Sequence, residues 1–243
     1  MIGARVRSKA TAGGQLRSLW KRLRRSDTAI GISLALIVGL LAGLGSVFFR
    51  WLIKAFQWAF FNQGASLLDF LGDYYVIILP AVGGLLLGPL VYFIAREAKG
   101  DGPPEVMEAL TTKGGRIRAR VAAVKTLASS ICIGSGGSVG REGPIIQIGS
   151  AIGSSVGQLF RLPEDWVKTL LLCGVAGGVS ATFNAPIGGV FFALEVVQRR
   201  FAVSNLGFVA ISSVSADLVA YRFLGETPSF TIPTYRMSSY WEM

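Results

Sequence analysis

Histidine is missing from the chain altogether. With it go the commonest metal ligand and the side chain that ordinarily carries protons near neutral pH. Any proton chemistry therefore falls to carboxylates. Cysteine is nearly as scarce: Cys132 and Cys173 both lie in apolar, Gly/Ser-rich stretches. Two such residues frame neither a disulfide scaffold nor a metal site, and they read as small packing residues. No cofactor is called for. Acidic residues are the third shortage, 14 against 24 Lys and Arg, which leaves a net charge of +10. No nucleophile–base pair or metal cluster emerges, so an enzyme is not expected. Charge of either sign disappears over residues 28–49, 74–95, 143–160 and 169–194.

Apolar residues fill those runs. They make up 51% of the 243 residues, and the mean hydropathy is +0.53. A bilayer core of ~30 Å needs about 20 apolar residues per helix. Several runs reach that length, which gives an all-α, polytopic membrane protein. A soluble domain with buried core helices is the alternative, and repeated runs of span length argue against it.

The basic residues cluster. Residues 1–25 carry Arg5, Arg7, Lys9, Arg17, Lys21, Arg22, Arg24 and Arg25 with no acid before Asp27. Lys113, Arg116, Arg118, Arg120 and Lys125 form a second group. Such runs suit nucleic acid in a soluble protein. Flanking apolar spans, they follow the positive-inside rule instead, so the expected partner is anionic membrane lipid, not nucleic acid, and the N-terminus is expected in the cytoplasm. Leu16, Leu19, Trp20 and Leu23 recur at helical spacing opposite the basic residues, which predicts an amphipathic surface helix over 16–25. Residues 1–27 are thus a basic cytoplasmic N-terminus and 28–243 a membrane domain. A secretory signal is disfavoured, because the basic leader is long and no small-residue cleavage site follows a short apolar core.

Two long helices are predicted first, over 28–53 and 74–95, the second interrupted by Pro80 and Pro89. At 1.5 Å per residue the first is about 39 Å long, so it must tilt. After residue 100 the apolar segments shorten to 103–111, 119–133, 143–160, 166–182, 185–197 and 203–221, lengths that seldom span a bilayer alone. Breaks separate them at "GDGPPE", "GSGGSVGREGP" and "FNAPIGG". Irregular backbone at membrane depth is tolerated where it is buried in protein or lines a polar cavity, and broken helices aim their N-termini at ions. Tilted and broken helices together suggest a transporter or channel.

Each break has a plain reading and a functional one. In Gly100-Asp101-Gly102-Pro103-Pro104-Glu105 the prolines suit a first helical turn, and the N-terminus either is simply capped or receives an anion. In the second break five glycines between 134 and 143 permit close approach of a ligand, and Glu142 falls at a helix N-terminus, where negative charge is favoured. The P-loop spacing is absent. An ionisable residue at this depth marks a functional site by default; the rival is a structural Arg141–Glu142 pair. The third break, Phe183-Asn184-Ala185-Pro186, is either two helices or one kinked span. Gly174, Gly177, Gly178, Gly188 and Gly189 permit close helix packing in both cases.

"GDGPPE", "GREGP" and "FNAPIGGVFFALE", in this order and spacing, resemble the chloride channel (CLC) family of anion channels and proton-coupled anion exchangers. The resemblance covers the chain from residue 16 onward. It implies one repeat of a CLC-type inverted-repeat fold, with chloride or another small anion as substrate, protons as a second one in exchangers, a homodimer, and a multi-pass location in a bacterial inner membrane. It implies that Glu142 is the gate, a carboxylate that occupies the anion pathway and leaves it when protonated. The anion sites would be lined by Asp101, Gly102, Gly140, Arg141, Gly143 and Pro144.

Three departures accompany it. Asp101 stands where many members have the serine of "GSGIP", and a carboxylate there repels chloride unless it points away and leaves the amides of 101 and 102 to serve. Val196 stands where many exchangers carry their internal proton-transfer glutamate, which favours a channel over an exchanger with an unusual relay. The chain stops where a second repeat, with its "GxFxP" loop and central tyrosine, would begin. That raises the expectation of a truncated product or a non-transporting membrane subunit.

Overall fold

Proline, glycine and asparagine set the helix ends. The computed structural model describes residues 7–64, 72, 74–94, 100–199 and 203–225, with side chains from residue 28 onward except 203 and 204. Helix α1 runs Arg7–Trp58 and continues as a π-helical turn, Ala59–Gly64. The backbone shows no break between the expected surface helix at 16–25 and the expected span at 28–53, so both belong to one element. The side chains that would define the amphipathic face at 16–25 lie outside the described residues.

Helix α2, Tyr75–Ile94, keeps Pro80 and Pro89 within it rather than being interrupted by them. Five further elements follow close to the predicted boundaries: α3 Pro103–Thr112, α4 Ala119–Gly134, α5 Glu142–Leu159, α6 Glu164–Phe183 and α7 Pro186–Phe191, which continues as a π-helical turn, Phe192–Val197. Helix α8 is Val203–Leu224. The third break is two helices rather than one kinked span. Asn184 ends α6 in the left-handed region at φ 53°, where a short polar residue is tolerated, and Pro186 opens α7.

Segments 28–64, 75–94, 164–183 and 205–224 are long and apolar enough to cross a membrane. Two of these correct the expectation that the later segments are too short. Helix α6 starts at Glu164 and Asp165, acids that suit a helix N-terminus, and α8 extends past Arg222 in its last turn. Charged ends had masked their true lengths.

Helix α6 forms the centre. Leu170, Leu171, Leu172, Cys173, Val175 and Ala176 are fully buried, and α1, α5, α7 and α8 surround them. Small residues make this possible. A Cβ on Gly149 of α5 would strike the Gly174 carbonyl of α6, and a Cβ on Gly174 would strike the Gly149 carbonyl. The two backbones touch, so the stabilisation here is close packing rather than large side chains.

One end of the bundle collects the basic loop after α3. Ile117 N–H donates to Ser154 Oγ at 2.8 Å, Ser154 Oγ donates to Gly115 O at 2.6 Å, and Gln158 Nε2 donates to Ile117 O at 2.8 Å. Phe160 and Leu162 stand beside Ala29 and Ile30 of α1 at this same end. At the opposite end Gly134 of α4 lies against Phe56 and Gln57 of α1.

Candidate functional site

The two Gly-rich breaks meet backbone to backbone. Gly102 has φ 113°, a conformation that favours glycine, and a Cβ there would also strike the Gly143 carbonyl. A Cβ on Gly143 would strike the Asp101 carbonyl in turn. The N-termini of α3 and α5 are thereby held side by side.

Their free amides differ. In α5 the first helical hydrogen bond is donated by Ile145 N–H to Arg141 O at 3.2 Å, and Pro144 has no N–H. The amides of Glu142 and Gly143 are therefore the ones this helix end presents. In α3 Pro103 and Pro104 have no N–H, and Gly102 N–H donates to Glu105 Oε2 at 2.8 Å. The Gly102 amide is engaged within its own helix, which leaves α3 a weaker anion-facing end than α5.

Beside this junction lies a cavity of about 790 Å³ between α2, α4 and the two breaks. It brings together Asp101, Gly140, Glu142, Gly143 and Pro144 of the expected site residues. Gly102 lies behind the lining against Gly143. Arg141 also faces elsewhere: its guanidinium lies 5.4 Å from the ring centre of Phe183. No ion pair joins Arg141 to Glu142, so the structural pairing considered for these neighbours is not formed. Arg50 of α1 is close enough for its charge and that of Arg141 to act on each other. The Glu142 side chain folds back over Gly140, where any Cβ would collide with its carboxylate.

Lys125 is the lining residue that charge counting misplaced. It was grouped with the basic loop, but it lies in α4, 7% exposed, and its Nζ donates to Gly100 O at 2.5 Å. Burial opposes its charge, and the carboxylates of Glu105 and Asp101 support it. Its register was the available signal: Val121, Val124 and Ala128, all buried, lie on the same helical face. Cys132 lines the cavity as a free, half-buried thiol, and Cys173 is free in the core. Val196 is exposed, in the π-helical turn that follows α7.

The family model for voltage gated chloride channels matches residues 83–243. A putative chloride channel protein, ClcB-like, from Ralstonia nicotianae is 29% identical over 219 residues, covering 87% of this chain and 51% of that protein. The H(+)/Cl(-) exchange transporter ClcA of Vibrio cholerae is 34% identical over 210 residues, covering 83% and 44%. Among solved structures, that of a CLC-type fluoride/proton antiporter superimposes with a TM-score of 0.69 at 26% identity, covering 88% of this chain and 51% of that one. The chain spans about half the length of the relatives it matches.

Proposed function

The chain belongs to the voltage-gated chloride channel family, and from that membership we propose that it forms one half of a transmembrane anion pathway with Glu142 as its gate. The observation that carries this reading is the position of Glu142 at the first residue of α5, where its carboxylate shares one cavity with the backbone of Gly140, Gly143 and Pro144. The free amides at that helix end attract negative charge. Glu142 is a tethered anion competing for them, and protonation removes its charge and frees the place for chloride. Arg141 and Arg50 add positive potential at the same end without touching the ion.

Channel-like transport is favoured by Val196, which cannot carry a proton. Proton-coupled exchange is the second reading, supported by relatives such as the Vibrio exchanger. The basic end of the bundle, with Lys113, Arg116, Arg118, Arg161 and Lys168, faces the cytoplasm in this reading, together with the residue-28 end of α1. Maleimide should reach a cysteine placed at Lys113 only from the inner side of the membrane; labelling from outside reverses the orientation. The reading includes homodimeric assembly, checked by mass photometry of the solubilised protein.

The deciding measurement is chloride efflux from liposomes holding the purified protein, at pH 4.5 and 7.5. Wild type should conduct faster at the lower pH, and Glu142→Gln should lose the share of that dependence that Glu142 carries. Unchanged pH dependence in Glu142→Gln removes the gate role. Absence of flux from wild type leaves the non-transporting subunit as the reading.

A further inference from the structure

The cavity beside Glu142 carries a second carboxylate and a buried cation that the gate reading does not use. Asp101 is exposed into the cavity, on the two-residue approach to α3. Lys125 reaches the same place from α4 and is pinned there by Gly100 O, the carbonyl that precedes Asp101. Among the described residues that line the cavity, Lys125 is the one that carries a positive charge. Asp101 already competes for that charge.

Charge balance sets the consequence. With Asp101 and Glu142 ionised, one ammonium faces two carboxylates across the described lining, and a third carboxylate, Glu105, acts on the same lysine from α3. Glu105 has its own partner, the Gly102 amide. Adding an anion to a lining that is already net negative is opposed by like-charge repulsion. Protonating Glu142 clears its place but leaves Lys125 matched to Asp101. Protonating Asp101 removes one of the two carboxylates that support the ammonium, and Glu105, the stronger of the two, stays in place.

We propose that Asp101 is a second proton-binding group of this pathway, competing with the transported anion for Lys125, so that an anion entering the cavity brings a proton onto Asp101. This rests on the anion-pathway reading above. The other titratable groups in the described lining, besides Lys125, are Tyr92 of α2 and Cys132 of α4. With histidine absent from the chain, the carboxylates in that lining are Asp101 and Glu142.

Calorimetric titration of chloride into the purified, detergent-solubilised protein tests this, in buffers of different ionisation enthalpy, which count the protons taken up per chloride bound. In the pH range where the carboxylates are ionised, wild-type affinity should fall by about tenfold per pH unit for each linked proton. Asp101→Asn should lose one proton of uptake and bind chloride more tightly at pH 7. Glu142→Gln should lose the other, and the double variant should take up none. Asp101→Ser, a second neutral variant, should match Asp101→Asn and serves if the asparagine variant misfolds. Wild-type proton uptake in both Asp101 variants overturns the inference and leaves the gate standing. Loss of uptake on Asp101 substitution but none on Glu142→Gln overturns the gate and supports Asp101. No chloride binding by wild type or any variant overturns both.

Discussion

Helices α6 and α2 are both twenty residues long and both apolar enough to cross a bilayer, yet they occupy opposite situations. In α6 an 18-residue stretch with the lower mean hydropathy, 1.4, has 78% of its residues buried within the protein; the corresponding stretch of α2, at 2.2, has 11%. In water that order would be inverted. In lipid, a helix gains nothing by hiding leucine from hydrocarbon, so interiors select residues by how closely backbones can approach. Helix α6 is rich in Gly, Ala and Ser, while α2 presents Ile77, Leu85, Leu86 and Phe93 outward. Hydropathy locates the membrane, and small residues locate the core.

That contrast can be broken first at the α5–α6 crossing. Gly149→Val drives a side chain into the Gly174 carbonyl, where neither backbone can yield. A cost at or above the top of the usual ~1–3 kcal/mol for overpacking should abolish folded yield on size exclusion in detergent. Normal yield would mean that the close backbone contact is dispensable. A middle case lies within α2 itself, where Leu79 and Gly83 are the buried residues. Gly83→Val meets both the hydroxyl and the Cβ of Ser135; the hydroxyl can turn away at the loss of its 3.0 Å hydrogen bond to Cys132 O, but the Cβ cannot, so α2 and α4 must part slightly. A loss of about 1–3 kcal/mol should appear as a lowered thermal midpoint, with the fold retained. The smallest effect belongs to Leu85→Ala, on the exposed face of α2 at 76% exposure. Its stability should stay within about 0.5 kcal/mol of wild type. A larger loss there would show that α2 is covered by protein rather than lipid.

The same physics explains what could be read without coordinates. The breaks at 100–105, 134–144 and 183–186 were legible because Pro, Gly and Asn act locally on the backbone, and the helix ends fall within a few residues of expectation. Helix α6 was read as shorter than it is because Glu164 and Asp165 look like loop residues until they are recognised as the first helical turn. The place of Glu142 at a helix start was legible from Gly143 and Pro144 beside it. Lys125 was not, since its charge was counted with its neighbours in sequence while its register faces the cavity. The Gly102–Gly143 contact joins two breaks distant along the chain, and no local pattern encodes which distant glycine another will meet. The engagement of Gly102 N–H by Glu105 depended on a side-chain rotamer, which spacing alone leaves open.

That glycine contact has a consequence for how such a pathway can be retuned. Because the two helix ends are registered through main-chain atoms, their alignment does not depend on the side chain of residue 101. The side chain there is an interchangeable fitting on a fixed mount: serine, aspartate or asparagine can occupy it while the mount keeps its alignment. In the proposed pathway, preference among ions and the number of protons that travel with them would then shift by a single codon without rebuilding the fold.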